Sequence, residues 1–276
     1  MAVRKTDRDF ANNIRFVLVE PSHPGNIGAV ARAMKTMGLH KLYLVNPEDY
    51  PSEVAVRRAV GAMDVLDSVV VCDTLAAAVA ECSLVIGTSV RSREVSWSLK
   101  EPAAAAVDVV DVASATSVAI VFGRERSGLN NEEMDQTRMQ IMIPSNPDFS
   151  SLNLASAAQI IAYEIRKRVL LVNNETTQES VTKEPSGKDW ETLASHEDLV
   201  GMYEHIEETL HAIEFIKNRP ATKLMRKVIR LFSKADITAE ELQIIRGIMT
   251  SATYAARGDA RWRVSPDQEP EADDNG

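Results

Sequence analysis

The chain has 276 residues, 45% of them hydrophobic and 26% charged, which suits a globular α/β domain with a smaller second module. Its formal net charge of -9 argues against a nucleic-acid partner only if the charge is spread evenly. It is not. Acidic residues crowd residues 175–198 and 267–274, so a basic surface can exist elsewhere.

Along the chain, short β-rich runs alternate with helical ones. Strands are expected at 15–20, 41–46, 69–72, 84–89, 117–123 and 140–144. Helices are expected at 29–38, 53–62, 74–82, 103–114, 130–136 and 151–172. This alternation points to a mostly parallel sheet covered on both faces, with ligands beyond the carboxyl ends of its strands. Residues 173–195 lose periodicity and read as a linker after a first domain of 1–172. A helical module over 196–264 follows, with helices at 198–216, 222–235 and 238–256, and then an acidic tail at 265–276 read as disordered. The N-terminal residues lack the apolar segment of a secretory signal, and no apolar run is long enough to span a bilayer, so a cytoplasmic protein is expected. Cys72 and Cys82 read as reduced thiols, and the five histidines show no metal-ligand spacing.

Three segments carry unusual chemistry. After the first strand, residues 20–35 contain two prolines and Gly25, read as a tight turn, then Gly28, read as a point of close backbone approach, with Asn26 and Arg32 at the start of a helix. A dinucleotide loop is disfavoured because the glycine spacing is wrong and Asn46 stands where an acidic ribose ligand belongs. A plain strand–turn–helix connection stays open. In residues 121–130, Gly123 and Gly128 bracket Arg124, Glu125 and Arg126, which suits a solvated turn as well as a binding loop. Residues 141–157 form an irregular proline-rich loop, in which Ser150, Ser151 and Asn153 lead into a small-residue helix with free N–H groups.

Taken together, Asn26-x-Gly28-x-x-x-Arg32, the Phe122-Gly123-x-Glu125-x-x-Gly128-Leu129 run and the Ile143-Pro144 loop with Ser151-Leu-Asn-Leu-Ala resemble the three signature motifs of the SPOUT methyltransferases, in their TrmH-like branch. The resemblance covers residues 14–170, and its match to a tRNA-modifying branch extends into the helical module. It implies a sheet whose last segment is threaded into a trefoil knot, S-adenosylmethionine as methyl donor, and a homodimer with the active site at the subunit interface. The product would be a methylated ribose 2′-hydroxyl of tRNA, on cytidine or uridine at anticodon-loop position 32. Ribosomal RNA as target, or a non-catalytic SPOUT RNA-binding protein, are the alternatives.

By the same resemblance, the donor would contact Thr88, Ser89, Val90, Gly123, Glu125, Gly128, Ile143, Ser150, Ser151 and Leu152. Arg32, Asn26, Ser150 and Asn153 would serve catalysis, and no metal is implied. Lys223, Arg226, Lys227 and Arg230 recur at helical spacing opposite Leu224, Val228 and Leu231, and with Arg91 and Arg93 they are expected to grip phosphates.

Overall fold

The computed structural model describes residues 7–89, 98–178, 193–216 and 220–258. The chain opens with α1 (Asp7–Asn13) and β1 (Ile14–Val19), then α2 (Pro24–Thr36), β2 (Lys41–Val45), α3 (Glu53–Ala59), α4 (Met63–Asp67), β3 (Val70–Cys72) and α5 (Leu75–Val79). There follow β4 (Cys82–Thr88), β5 (Ser98–Lys100), α6 (Pro102–Ala113), β6 (Ser117–Phe122), α7 (Asn131–Asp135), β7 (Met139–Ile141) and α8 (Leu154–Gln178). The second module holds α9 (His196–Ala212), α10 (Thr222–Phe232) and α11 (Ala239–Ala256).

The seven strands are all parallel, in the order β3-β2-β1-β6-β4-β7-β5. Because side chains alternate across a strand, β1 feeds two cores. Ile14, Phe16 and Leu18 join the face covered by α2, α6 and α8. Val17 and Val19 join the face that holds Leu75, Leu129 and Met134. Each such buried side chain contributes about 1.5–3 kcal/mol, and the fully buried Phe16 and Phe122 rings pack at 5.2 Å between centroids.

The position of β7 matters most. It lies between β4 and β5, which are consecutive in the chain, so the last strand enters the sheet through a gap between earlier neighbours. That is the order a threaded knot requires. The connection it would thread includes residues 90–97, which lie outside the described residues.

Several boundaries differ from the sequence reading. α2 begins at Pro24 instead of residue 29, because Pro24 fits a first helical turn and the His23 ring accepts the Gly25 N–H at 3.0 Å. The expected tight turn at Gly25 is therefore a helix start. α8 starts at Leu154, capped by the Asn153 carboxamide, and runs to Gln178, beyond the expected end at 172. Helices α1 and α4 and the short strand β5 lack a clear period and were not expected.

The helical module has its own small core around Met202, Ile206, Met225 and Leu242. Ser195 and Thr238 close capping boxes at the starts of α9 and α11. The module rests on the sheet domain: the Glu197 N–H donates to the Ala80 carbonyl at 3.2 Å, and α9 packs near β4 and α5. Cys72 and Cys82 are both free, and burial pushes the Cys82 thiol up to about 11.

Candidate active site

The loops that follow β4, β6 and β7 meet around a cavity of about 420 Å³ at the carboxyl end of the sheet. Thr88 and Ser89 contribute from β4, residues 123–129 from the loop after β6, and Ile143 with Ser150, Ser151 and Leu152 from the loop after β7. Phe122, Met134, Ile141 and Leu154 supply apolar wall. Every described residue expected to touch the donor lines this space; Val90 lies outside the described residues.

The loop after β6 is shaped by its glycines. A Cβ on Gly123 would stand 2.2 Å from the Gly128 carbonyl carbon, and Gly128 itself sits at φ +68°. A side chain at 123 would collide with that backbone, and one at 128 would sit in a strained conformation. The Gly128 N–H closes the turn onto the Arg124 carbonyl at 2.9 Å. Gly28 makes an equally close approach, but to a different neighbour: its Cβ would lie 2.0 Å from the Ala55 carbonyl oxygen. The close backbone approach expected at Gly28 is that of α2 onto α3.

At the rim, residues from three distant segments share one hydrogen-bond network. The Asn26 amide donates to Glu125 Oε1 at 2.9 Å, and Asn153 Nδ2 donates to Asn26 Oδ1 at 3.0 Å. The Ser22 hydroxyl and N–H donate to Glu125 Oε2 at 3.0 and 3.2 Å. Burial pushes the Glu125 carboxyl up, but the hydrogen bonds from Asn26 and Ser22 outweigh it and hold the group below its usual range. Glu125 therefore stays an acceptor. Because Asn26 Oδ1 is turned to Asn153, the orientation of this carboxamide is fixed.

Arg32 is placed differently. It is exposed on α2, away from the cavity wall, and its guanidinium has no partner among the described residues. The structure unites Asn26, Glu125, Ser150 and Asn153 around one chain's cavity and leaves Arg32 outside it.

A second cluster escaped the sequence reading. Arg124 donates twice to Glu20, both at 2.6 Å, and twice to Glu133, both at 2.9 Å. These bonds raise the Arg124 guanidinium above its ordinary value, Glu20 first and Glu133 second. Glu20 carries φ +45°, an uncommon backbone for a residue with a side chain, and its pairing with Arg124 keeps its carboxyl ionised. Arg124 thus ties the end of β1 to α7 and has little left to offer a substrate phosphate. No local pattern announces pairs 104 residues apart.

On α10, Lys223 and Lys227 are exposed. Arg226 is not free for RNA, since its Nε donates to Asp135 of α7 at 2.9 Å. Arg230 is half-buried. Leu231, expected on the inner face, is 66% exposed; Met225, Val228 and Phe232 face the module's core. Arg91 and Arg93 lie outside the described residues.

A parallel sheet with its last strand inserted between two consecutive ones, and a cavity walled by the loops around that strand, define the class of α/β folds with a ligand site at the carboxyl end of the sheet. The chain belongs to the SpoU rRNA Methylase family, whose model matches residues 13–163. The model for the C-terminal domain of the tRNA methyltransferase TrmJ matches residues 197–261. The chain is 45% identical over 248 residues to the tRNA (cytidine/uridine-2′-O-)-methyltransferase TrmJ of Shigella dysenteriae serotype 1 (strain Sd197), covering 89% of this chain and 98% of that protein. It is equally similar to the protein of that name from Escherichia coli (strain K12), of which 97% is covered. Among solved structures, TrmJ from Z. mobilis ZM4 superposes with a TM-score of 0.72 at 33% identity, covering 86% of this chain and 97% of that one. A probable methylase family protein from Haemophilus influenzae Rd KW20 gives 0.58 at 40% identity, covering 89% and 97%.

Proposed function

We propose that this chain transfers the methyl group of S-adenosylmethionine to a ribose 2′-hydroxyl of tRNA, on cytidine or uridine, and works as a cytoplasmic homodimer. The observation that carries the reading is the cavity of about 420 Å³ with the Asn26–Glu125–Asn153 network at its rim. That volume lies in the range of small-molecule and cofactor sites. Its lining suits the donor: Ile143 and Leu152 offer apolar surface to adenine, and Thr88, Ser89 and the backbone of residues 123–128 offer polar contacts to its edge and ribose. Glu20 and Glu133 both pair with Arg124 and offset its charge, so this guanidinium does little to repel a cationic donor.

When bound, the donor supplies an electrophilic methyl on a sulfonium with a good leaving group. The chain's task is then alignment of a sugar oxygen and stabilisation of charge as that oxygen loses its proton. Asn26, held by Glu125 and Asn153, is fixed to orient the incoming nucleotide. Ser150, on the cavity wall, offers a hydrogen bond to the substrate. Arg32 supplies positive charge at the developing alkoxide; a guanidinium ordinarily stays protonated, so electrostatic stabilisation is preferred to literal base action. Its place outside its own chain's cavity suits a site completed by a second copy.

The helical module favours tRNA over ribosomal RNA, since its counterpart belongs to proteins named as tRNA methyltransferases. The test is transfer of labelled methyl to tRNA lacking the modification, followed by nucleoside mapping. Label in 2′-O-methylcytidine or 2′-O-methyluridine at position 32 is expected. Label only in ribosomal RNA, or none with the donor present, overturns the reading.

A further inference from the structure

The short helix α7 faces two ways. On one side Glu133, buried, receives both Arg124 bonds, and Met134 lines the cavity. On the other side Asp135 accepts from Arg226 Nε at 2.9 Å. Three residues on, Arg138 donates to the Ser233 and Ala235 carbonyls, at 3.2 and 2.6 Å, and pairs with Asp236. The charges cross: an acid of the sheet domain meets a base of the module, and a base of the sheet domain meets an acid of the module. The two contacts seize α10 near its first turn and just past its last, so the module cannot rotate on α7 without breaking both.

We propose that Asp135 and Arg138 are positioning residues for methyl transfer: by seating the helical module on the outer side of α7, they hold Glu133 where it grips Arg124 and so set the wall of the donor cavity. This rests on the S-adenosylmethionine reading above. Energetic coupling is reciprocal, so whatever the module grasps alters donor affinity, and donor binding alters the module's grasp. The link is a rigid element of five residues, with no need of a long path.

The experiment uses the full chain and S-adenosylhomocysteine as calorimetric probe. Asp236→Asn, in the module, is outside the cavity lining; it is expected to weaken S-adenosylhomocysteine binding by about three- to tenfold, and to raise the KM for the donor more than it lowers kcat. Asp135→Arg and Arg226→Asp singly are expected to do the same, and the two combined to recover most of the affinity. Unchanged affinity in Asp236→Asn, or a double variant no better than the singles, overturns the seating role. Wild-type protein that ignores S-adenosylhomocysteine removes the donor reading and this inference with it, whereas normal wild-type binding with indifferent variants removes this inference alone.

Discussion

Asn26 donates to Glu125 at 2.9 Å across 99 residues of sequence, and the same carboxamide accepts from Asn153. The start of α2 and the loops after β6 and β7 are thereby locked together. In Glu125→Ala, Asn26 loses its anchor and Ser22 both its acceptor contacts. A buried hydrogen bond to a charged group is worth about 1.5–3 kcal/mol, so methyl transfer is expected to fall by about 10- to 100-fold. Asn26→Asp sets a carboxylate against Glu125 and should be worse. Single-turnover rates at saturating donor check both; equal activity of all three proteins would falsify the orienting role.

Arg32 lies outside the cavity, so Arg32→Ala is expected to abolish transfer while leaving S-adenosylhomocysteine affinity near wild type. If a second copy receives Arg32, mixing inactive Arg32→Ala with weakened Glu125→Ala raises activity above that of either variant, to about a quarter of wild type when half the dimers are mixed and one site in each is intact. If Arg32 serves its own chain, the mixture is no more active than the Glu125→Ala protein it contains.

Gly28→Ala places a methyl 2.0 Å from the Ala55 carbonyl oxygen, and helix backbones cannot yield as a flexible side chain does. Overpacking of this kind costs about 3 kcal/mol, a loss of about 5–10 °C in Tm for a chain of this size. A melt indistinguishable from wild type would show that α2 and α3 are not so close.

Lys223 and Lys227 are exposed, whereas Arg226 is committed to Asp135. Replacing both lysines by alanine should reduce the slope of log affinity for tRNA against log salt by about 2, without a change in thermal stability. Arg226→Ala should behave otherwise, loosening the module on the sheet. A salt slope that ignores the lysines would remove α10 from the RNA surface.

His196 sits where the module meets the sheet domain, and its Nε2 is buried with no partner among the described residues. Burial lowers its pKa from 6.5 to about 4. Above pH 6.5 the ring is neutral whether the module is folded or not, and its contribution is constant. As pH falls from 6.5 toward 4, the unfolded state takes up a proton that the folded state refuses, so stability is lost. The loss is about 3 kcal/mol. Thermal melts over this window should show it in wild type and not in His196→Leu.

The strand–helix alternation and the cavity loops were legible because both are written locally. Short, nearly continuous apolar runs give β1, β4 and β6, and glycines at 123 and 128 mark a turn that disfavours side chains at both positions. The start of α2 was not legible, since histidine is an unusual cap. Gly28 was legible as a point of close approach, but its neighbour, the Ala55 carbonyl, was not: sequence says that something comes near, not what. The Arg124 cluster and the Asp135–Arg226 pair join residues about a hundred apart, and such pairs leave no period to read.

The insertion of β7 between β4 and β5 has a consequence for synthesis. A growing polypeptide that has emerged only as far as the loop after β6 has Thr88, Ser89 and the glycine loop, but neither Ile143 nor the wall at Ser150–Leu152. No partial pocket of useful affinity exists until the segment through Ala157 leaves the ribosome, so the nascent chain stays blind to its cofactor for more than half of its translation.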